Sequence, residues 1–454
     1  MNLFRRSPQR AALLFGCVCV SFVLSASSLS NAWQSILVGL TDTLPHMPPT
    51  SGTYGYNSFV PANTPGASYV DPVFGSTIRR LSTDNRSDDI YAKNMWWNAD
   101  GTKFAHGGQI VNTATGQQTH TVPRGSITGD AGFDPVDPNV YYYYSGSTIR
   151  KVVLNSGGTT TESTFFTASA SLQSLGSSVN WWSADGKLFL VKFGSEPSIK
   201  VYEKTSSGNV LYGGAINGSS VGNGWIGLTP SGKHVMGYVN SYSPYGMGSA
   251  AAWDIDSVAK TVGPINYFWA LCGDHAVPIS ATDGKDYLVV GNCYSQDQIV
   301  RASPDNNAQN FTTSTLPTAP GNKVLKSENW QNEKHFSSVG KGPLRDWVFV
   351  SMECGSCGGD PDNFNSVPSN WPAYRQEIVG INVLTGEIRR IAHHRSRNLS
   401  ADYGYQPRLS VSWGGEYVGW ASNMNQSGTS NIFAATFGGP GAGSGSGGGT
   451  GGGE

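Results

Sequence analysis

The stretch Trp96-Trp97-Asn98-Ala99-Asp100-Gly101-Thr102-Lys103-Phe104 returns later in the chain as Trp181-Trp182-Ser183-Ala184-Asp185-Gly186-Lys187-Leu188-Phe189. Each copy is an aromatic run, a small polar pair, an Asp-Gly turn and a second apolar run, which is the pattern of two antiparallel strands joined tightly. Looser copies are Gly227-Leu228-Thr229-Pro230-Ser231-Gly232 within Trp225 to Tyr238, Ser280-Ala281-Thr282-Asp283-Gly284 before Tyr287-Leu288-Val289-Val290, and Ser412-Trp413-Gly414-Gly415 before Tyr417-Val418-Gly419-Trp420. One hairpin cannot bury its own apolar face, so repetition implies units stacked on one another.

The turns fall near Gly101, Pro138, Gly186, Gly232, Gly284, the segment 340–345 and Gly415. Seven units at a period of roughly 40 to 70 residues have the dimensions of propeller blades with variable outer loops. The expected fold is therefore all-β, a seven-bladed β-propeller spanning 71–437. Asp71 to Leu81 alternates like an outer strand, and inner partners for it exist in the last hairpin, Val411 to Phe433. Closure of the ring by the N-terminal strand with the last blade follows, because it hides sheet edges that a linear array would expose. The polar insertion from Cys354 to Tyr374 is expected to leave the sixth blade as an excursion. Residues 33–70 form an N-terminal extension, and the glycine-rich run 438–454 buries nothing and reads as a flexible linker or tail.

Arg5, Arg6 and Arg10, then an apolar run from Ala11 to Leu24, then a small polar stretch ending Ser30-Asn31-Ala32 have the layout of a secretory signal peptide over 1–32. A lipoprotein reading through Leu14-Phe15-Gly16-Cys17 is weaker, because the apolar run continues past the cysteine. No later stretch is apolar and long enough to span a bilayer, so a secreted chain, extracellular or periplasmic, with no membrane span is expected. Glycine accounts for 58 residues, charged residues for only 13% and aromatic residues for 11%, which suits strands and tight turns. Removal of the signal takes three of the 30 basic residues and leaves 27 against 31 acidic ones. That balance excludes nucleic acid as the main partner, since the phosphate backbone demands a basic surplus.

Four cysteines remain after the signal. Cys272 precedes the Asp283-Gly284 turn by about as many residues as Cys293 follows it, so paired strands place them nearly opposite, and in an oxidising compartment a disulfide is expected. Cys354-Gly355-Ser356-Cys357 lacks a second CxxC or a nearby histidine pair to complete a zinc tetrahedron, and reads as a local or loop-stapling disulfide.

Counting nine residues back from the turns samples the far end of each innermost strand, where it faces one mouth of the central channel. The count gives Lys93 (beside Ala92), Asp130, Ser177, Asn223, His275 and Gln406, and in the irregular sixth unit Glu333-Lys334-His335 lies in the same region. These polar positions are either a functional ring or ordinary polar loop residues. Near the seventh unit stand His393-His394-Arg395-Ser396-Arg397 and Tyr403-Gly404-Tyr405-Gln406-Pro407-Arg408. Gln406 and Arg408 are two apart and, on a strand, would share a face. An amide, a guanidinium and histidines converging there suit an anionic ligand, because arginine grips a carboxylate with paired hydrogen bonds. His393 and His394 could equally lie in a surface loop between blades.

Gln406-Pro407-Arg408-Leu409-Ser410-Val411-Ser412-Trp413-Gly414-Gly415-Glu416-Tyr417-Val418, leading to Ala421-Ser422-Asn423, resembles the terminal-blade pattern of the oligogalacturonate lyases and related secreted WD40-like propellers. In that family the strand carries a His-Pro-His run that binds a divalent metal together with a third histidine and a glutamine. Here the two metal histidines fall on Gln406 and Arg408, so the family's ligands are not matched; no cofactor is expected, with a divalent metal as the open alternative.

The resemblance implies β-elimination on a uronate glycan, which needs neutralisation of the carboxylate, a base for the C5 proton and an acid for the departing oxygen. Arg408 or Arg395 suits the first task, His275, His335 or His394 the second, and Tyr403 or Tyr405 the third, with Lys93, Asp130, Asn223 and Gln406 as further ligand contacts. No elbow-type Ser-His-Asp motif, phosphate-binding glycine loop or HExxH helix is present. The competing expectation is a non-catalytic propeller that binds extracellular glycan or protein. Trp96, Trp181, Trp225 and Trp371 are possible platforms for it, although their repeated positions in hairpins fit blade packing better.

Overall fold

The computed structural model describes residues 53–55, 61–71, 73–83, 91–123, 131–173, 175, 179–193, 198–217, 225–242, 247–270, 275–291, 298–305, 319–327, 333–353, 370–397, 405–424 and 430–436. The signal segment, the glycine-rich run, Asp130, Ser177, Asn223, Tyr403 and the four cysteines Cys272, Cys293, Cys354 and Cys357 lie outside the described residues.

Seven antiparallel sheets follow one another as blades of a propeller ring. Blade one holds Lys103–His106, Gln109–Asn112 and Gln118–Thr121, with an inner bridge between Trp97 and Phe104. Blade two runs from Gly132–Phe133 to Thr160–Thr167, and blade three from Leu172–Gln173 to Ile216–Asn217. Blade four spans Ile226–Leu228 to Thr261–Ala270 and blade five Ala276–Ser280 to Lys323–Ser327. In blade six the order is Glu333–Ser338, Trp347–Glu353, Glu377–Asn382 and Ile388–His393.

Blade seven is assembled from both ends of the ring. Ser410–Val411, Tyr417–Ser422 and Asn431–Thr436 come from the C-terminal side, and Thr77–Arg80 pairs with the last of them in the register Ile78 to Ala435. Closure by the N-terminal strand is as expected, and Ser68–Val70 adds a fifth strand outside it. Upstream, Thr53–Gly55 pairs with Asn370–Pro372, so the end of the sixth-blade insertion is tied to the N-terminal extension.

The repeated hairpin explains its own sequence. Gly101, Gly186, Gly232 and Gly415 adopt φ of 71°, 68°, 71° and 84°, a left-handed conformation that side chains with a Cβ resist. Their N–H groups donate back to the carbonyls of Asn98, Ser183, Thr229 and Ser412 at 2.9–3.0 Å. The side chains of those four polar residues in turn accept the N–H of Lys103, Leu188, His234 and Tyr417, closing the first rung of each return strand. Blade two has no glycine here, and Asp134 substitutes by accepting the N–H groups of Val136 and Asp137.

The apolar cores sit between neighbouring blades. Trp97 of blade one stacks on Tyr417 of blade seven with centroids 5.6 Å apart, and its Nε1 donates to Ser410, which locks the closing joint. Trp96, Trp181 and Trp225 are likewise buried in these cores and are packing residues; the side chain of Trp371 lies outside the described set.

Asn94 marks the axis. Its Nδ2 donates to the carbonyls of Ser338 and Val411 at 2.7 and 2.9 Å, and its Oδ1 accepts from Asn180 at 2.6 Å. One side chain that joins blades one, three, six and seven must lie where the blades converge. The amide therefore lies near the middle of the ring.

Candidate functional site

At the end of the ring carrying the hairpin turns, a cavity of about 430 Å³ is lined by residues including Ser231, Lys233, Ser280, Asp286, Lys341 and Arg345. Its buried acid is saturated: Asp286 accepts from Ser231, Ser280 and His234. Lys233 donates to the Gly284 carbonyl and Lys341 to the Pro135 carbonyl. These contacts staple one blade to another, and the chemistry must be sought at the opposite end.

There the alternation of the sixth blade decides what meets. Along Glu333–Ser338 and Trp347–Glu353 the pairing sets His335 opposite Ser351 and Ser337 opposite Phe349, so the side chains of His335, Ser337, Ser351 and Glu353 share one face. On the same face Ser337 accepts the Val411 N–H, which identifies it as the face turned to blade seven. His335 Nδ1 lies 2.7 Å from Glu353 Oε1, and Ser351 Oγ donates to that same oxygen at 2.9 Å. His335 is 1% and Glu353 2% exposed, so the pair is sealed from bulk water.

Burial pushes the Glu353 carboxyl up to about 8, despite the lowering effects of the Ser351 hydroxyl and of His275, Arg408 and Lys334. Burial thus favours the protonated form of this carboxyl. Oε1 takes both of these contacts, and Oε2 has no hydrogen-bond partner among the described residues.

Three more side chains complete the cluster. The His275 ring is 4.9 Å from that of His335, centroid to centroid. Tyr91 meets His335 edge to face at 5.2 Å, and the Arg408 guanidinium sits 5.9 Å over the Tyr91 ring. Blades five, six and seven and the segment leading into blade one each contribute.

The ruler based on turn glycines thus finds His275, and His335 falls in the corresponding region of the irregular sixth unit; the fold brings both together with Arg408. It misses Glu353, Lys334 as a separate cation, and Tyr91. Glu353 had a signal of its own, being the acid that ends the apolar run Trp347 to Met352.

Other sequence candidates lie elsewhere. His394 follows the outer strand of blade six; its N–H donates to the Gln376 carbonyl, its Nδ1 accepts the Ser396 N–H, and its ring lies at the Met352 backbone. It is wholly buried, and burial with the Arg397 charge pushes its pKa down to about 3. His393 is held well below the usual range for the same first reason, with Nδ1 accepting the Arg395 N–H. Both histidines are buried, which answers the expectation of a surface loop. Arg395, at φ 59°, turns toward Asp71 at 3.8 Å and the Tyr69 ring at 5.9 Å, on the N-terminal strands.

Gln406 and Arg408 precede the strand, which begins at Ser410, and the Arg408 N–H donates to the Gln406 carbonyl across Pro407. They form a tight turn, so the shared strand face expected of them does not exist. Tyr405 is half-buried at the start of this turn, and Lys93 is buried beside Tyr91, its carbonyl accepting from Ser410.

Arg408, at one of the two positions where the resemblance places a metal histidine, cannot ligate an ion. Arg408 offers only N–H donors where a ligand needs a lone pair, and Lys334 adds a second buried cation. Among the described residues no group of three His, Cys, Asp or Glu side chains converges to hold an ion.

No family model and no curated protein matches the sequence. Among solved structures, oligogalacturonate lyase from Vibrio parahaemolyticus is similar at 13% identity and a TM-score of 0.51, over 86% of this chain and 98% of that one. Hydrazine synthase of Kuenenia stuttgartiensis gives 11% and 0.41 over 77% and 96%, and the WD40 domain of Toxoplasma gondii coronin 12% and 0.41 over 86% and 87%. The first likeness bears out the fold, a seven-bladed β-propeller. Among the described residues no helix is long and apolar enough to cross a membrane.

Proposed function

We propose that this is a secreted, carbohydrate-facing propeller that acts as a polysaccharide lyase on a uronate glycan by β-elimination. The observation that carries the reading is the buried His335–Glu353 pair beside His275, Tyr91 and Arg408. β-Elimination breaks the C5–H and C4–O bonds and forms the C4–C5 double bond. Arg408 pairs with the uronate carboxylate and stabilises charge as C5 loses its proton. His335 Nε2, oriented by Glu353, or the neighbouring His275 takes that proton. Tyr91 gives a proton to the departing O4, a role assigned in sequence to Tyr403 or Tyr405. No cofactor enters these steps.

The test is an ultraviolet assay for unsaturated product against a panel of uronate polysaccharides, with divalent metal added and with chelator. Product from at least one polysaccharide is expected, and H335A and R408A should each lower the rate by about 100-fold or more. No product from any substrate would sink the lyase reading. The replacement of two family histidines by Gln406 and Arg408 favours a second reading, a propeller that binds acidic glycan without cleaving it, and direct titration with oligouronates separates the two.

A further inference from the structure

We propose that the cavity at the turn end of the ring is a second ligand site, which takes a small organic molecule carrying a phosphate or sulfate ester. Hairpin turns of four blades reach it: Asp185 from blade three, Lys233 from blade four, Asp286 from blade five, and Lys341 and Arg345 from blade six. Its two carboxylates already have partners. Asp286 holds His234 at 2.8 Å and the hydroxyls of Ser231 and Ser280, and Asp185 accepts from Ser183 and pairs with Lys187 at 3.4 Å.

The three cations do not. Among the described residues none of Lys233, Lys341 and Arg345 forms an ion pair. Lys233 donates to the Gly284 carbonyl at 2.7 Å and Lys341 to the Pro135 carbonyl at 2.8 Å, so each ammonium keeps further N–H groups for a ligand. Arg345 is exposed, and its guanidinium has no hydrogen bond among the described residues. Lys341 is half-buried and reaches from blade six to blade two, which carries its stem across the mouth of the channel. Burial lowers its pKa, and the acids that act on it from a distance, Glu416, Asp100 and Asp134, have nearer partners in Ser412, Thr102 and Lys204. An anion held against Lys341 favours its charged form and offsets that burial.

The number of cations selects the anion. One guanidinium satisfies a carboxylate, whereas cations brought by separate turns suit a group with three terminal oxygens, as on a phosphate or sulfate ester. At about 430 Å³, with Ala184, Pro230 and Ala281 in its wall, the cavity also has room for the body that bears the ester. With Asp286 saturated, the site binds without reacting, and it does not depend on the uronate reading.

Calorimetric titration of the full-length protein with glucose 6-phosphate, glucose 6-sulfate and glucose tests this. At least one ester should bind saturably, one molecule per chain, and the better-bound ester names the oxyanion; glucose should give no binding heat. Raising the salt from about 20 mM to about 200 mM should weaken the ester by about threefold or more, because two of the cations are exposed. K233Q and R345Q alter exposed side chains, and the double variant should bind the ester about tenfold or more weakly, with thermal unfolding like that of wild type. R345Q alone should leave the product yield of the ultraviolet assay unchanged. No binding of either ester, glucose bound as tightly as its esters, or a double variant that binds like wild type would each overturn the inference. Absence of unsaturated product from every polysaccharide would remove the lyase reading alone.

Discussion

His335 Nδ1 and Glu353 Oε1 face each other at 2.7 Å on a strand pair whose side chains are almost wholly excluded from water. A histidine and a carboxyl enclosed in this way make both the chemistry and the stability of the sixth blade depend on where one proton resides.

Glu353 should therefore tie stability to alkaline pH. Its folded pKa of about 8 is raised from 4.5, chiefly by burial. The folded state holds a proton that the unfolded chain releases between these values, so stabilisation is full below about pH 4.5 and is lost as pH rises through about 8. The slope is up to ~1.4 kcal/mol per pH unit. Urea unfolding of wild type and E353Q from about pH 5 to about pH 9 should show the variant gaining relative stability as pH rises. Parallel curves would show that Glu353 is ionised throughout.

His394 has the opposite sign. Its folded pKa of about 3 lies below the ordinary 6.5, because of burial and then Arg397. The unfolded chain takes up a proton that the folded one refuses, so stability present above about pH 6.5 is lost as pH falls toward about 3. In the H394N variant the acid limb of the unfolding curve should be shallower than in wild type, with a difference on the order of a few kcal/mol at about pH 4. An unchanged acid limb would place the proton uptake on another group, His393 being next in line.

The contrast between these two residues shows what the sequence could and could not convey. Gly101, Gly186, Gly232 and Gly415 announce the hairpins because a left-handed φ leaves a mark on composition. His275 is found by counting from the Gly284 turn, since strand length is regular, and His335 falls in the same region of the irregular sixth unit. His394 is as polar as His335 in sequence, yet it lies in a connector whose path depends on packing between blades six and seven, and no period reports that. Glu353 belongs to the second strand of its blade, outside the reach of a ruler laid along first strands. Asn94 looks like any residue before a Trp-Trp pair, because its three hydrogen bonds go to blades three, six and seven.

Asn94 is expected to be the most sensitive polar position in the ring. N94A removes two donor contacts and leaves the Asn180 amide without its buried acceptor. A cost of ~2–4 kcal/mol follows from unmade buried hydrogen bonds. N94D keeps the acceptor but places a carboxylate against two carbonyls, and should cost at least as much. Thermal unfolding of both variants checks this, and wild-type stability in N94A would mean that the axis closes by other contacts.

Glycines separate a demand for space from a demand for φ. A Cβ on Gly132 would stand 2.6 Å from Met95 Cβ and 2.7 Å from the Met95 carbonyl, at the joint of blades one and two. That backbone cannot retreat without breaking Trp97 N–H to Asn94, the rung beside the axis. Gly146, at φ 60° in the turn of an outer hairpin, has nothing within 4 Å of the place a Cβ would take. G146A should cost ~1 kcal/mol, the strain of a left-handed alanine. G132A should cost ~3 kcal/mol or more, because overpacking forces the backbone to shift. Equilibrium unfolding of the two single variants gives the ranking directly, and equal losses would show that the joint between the first blades is more compliant than its contacts imply.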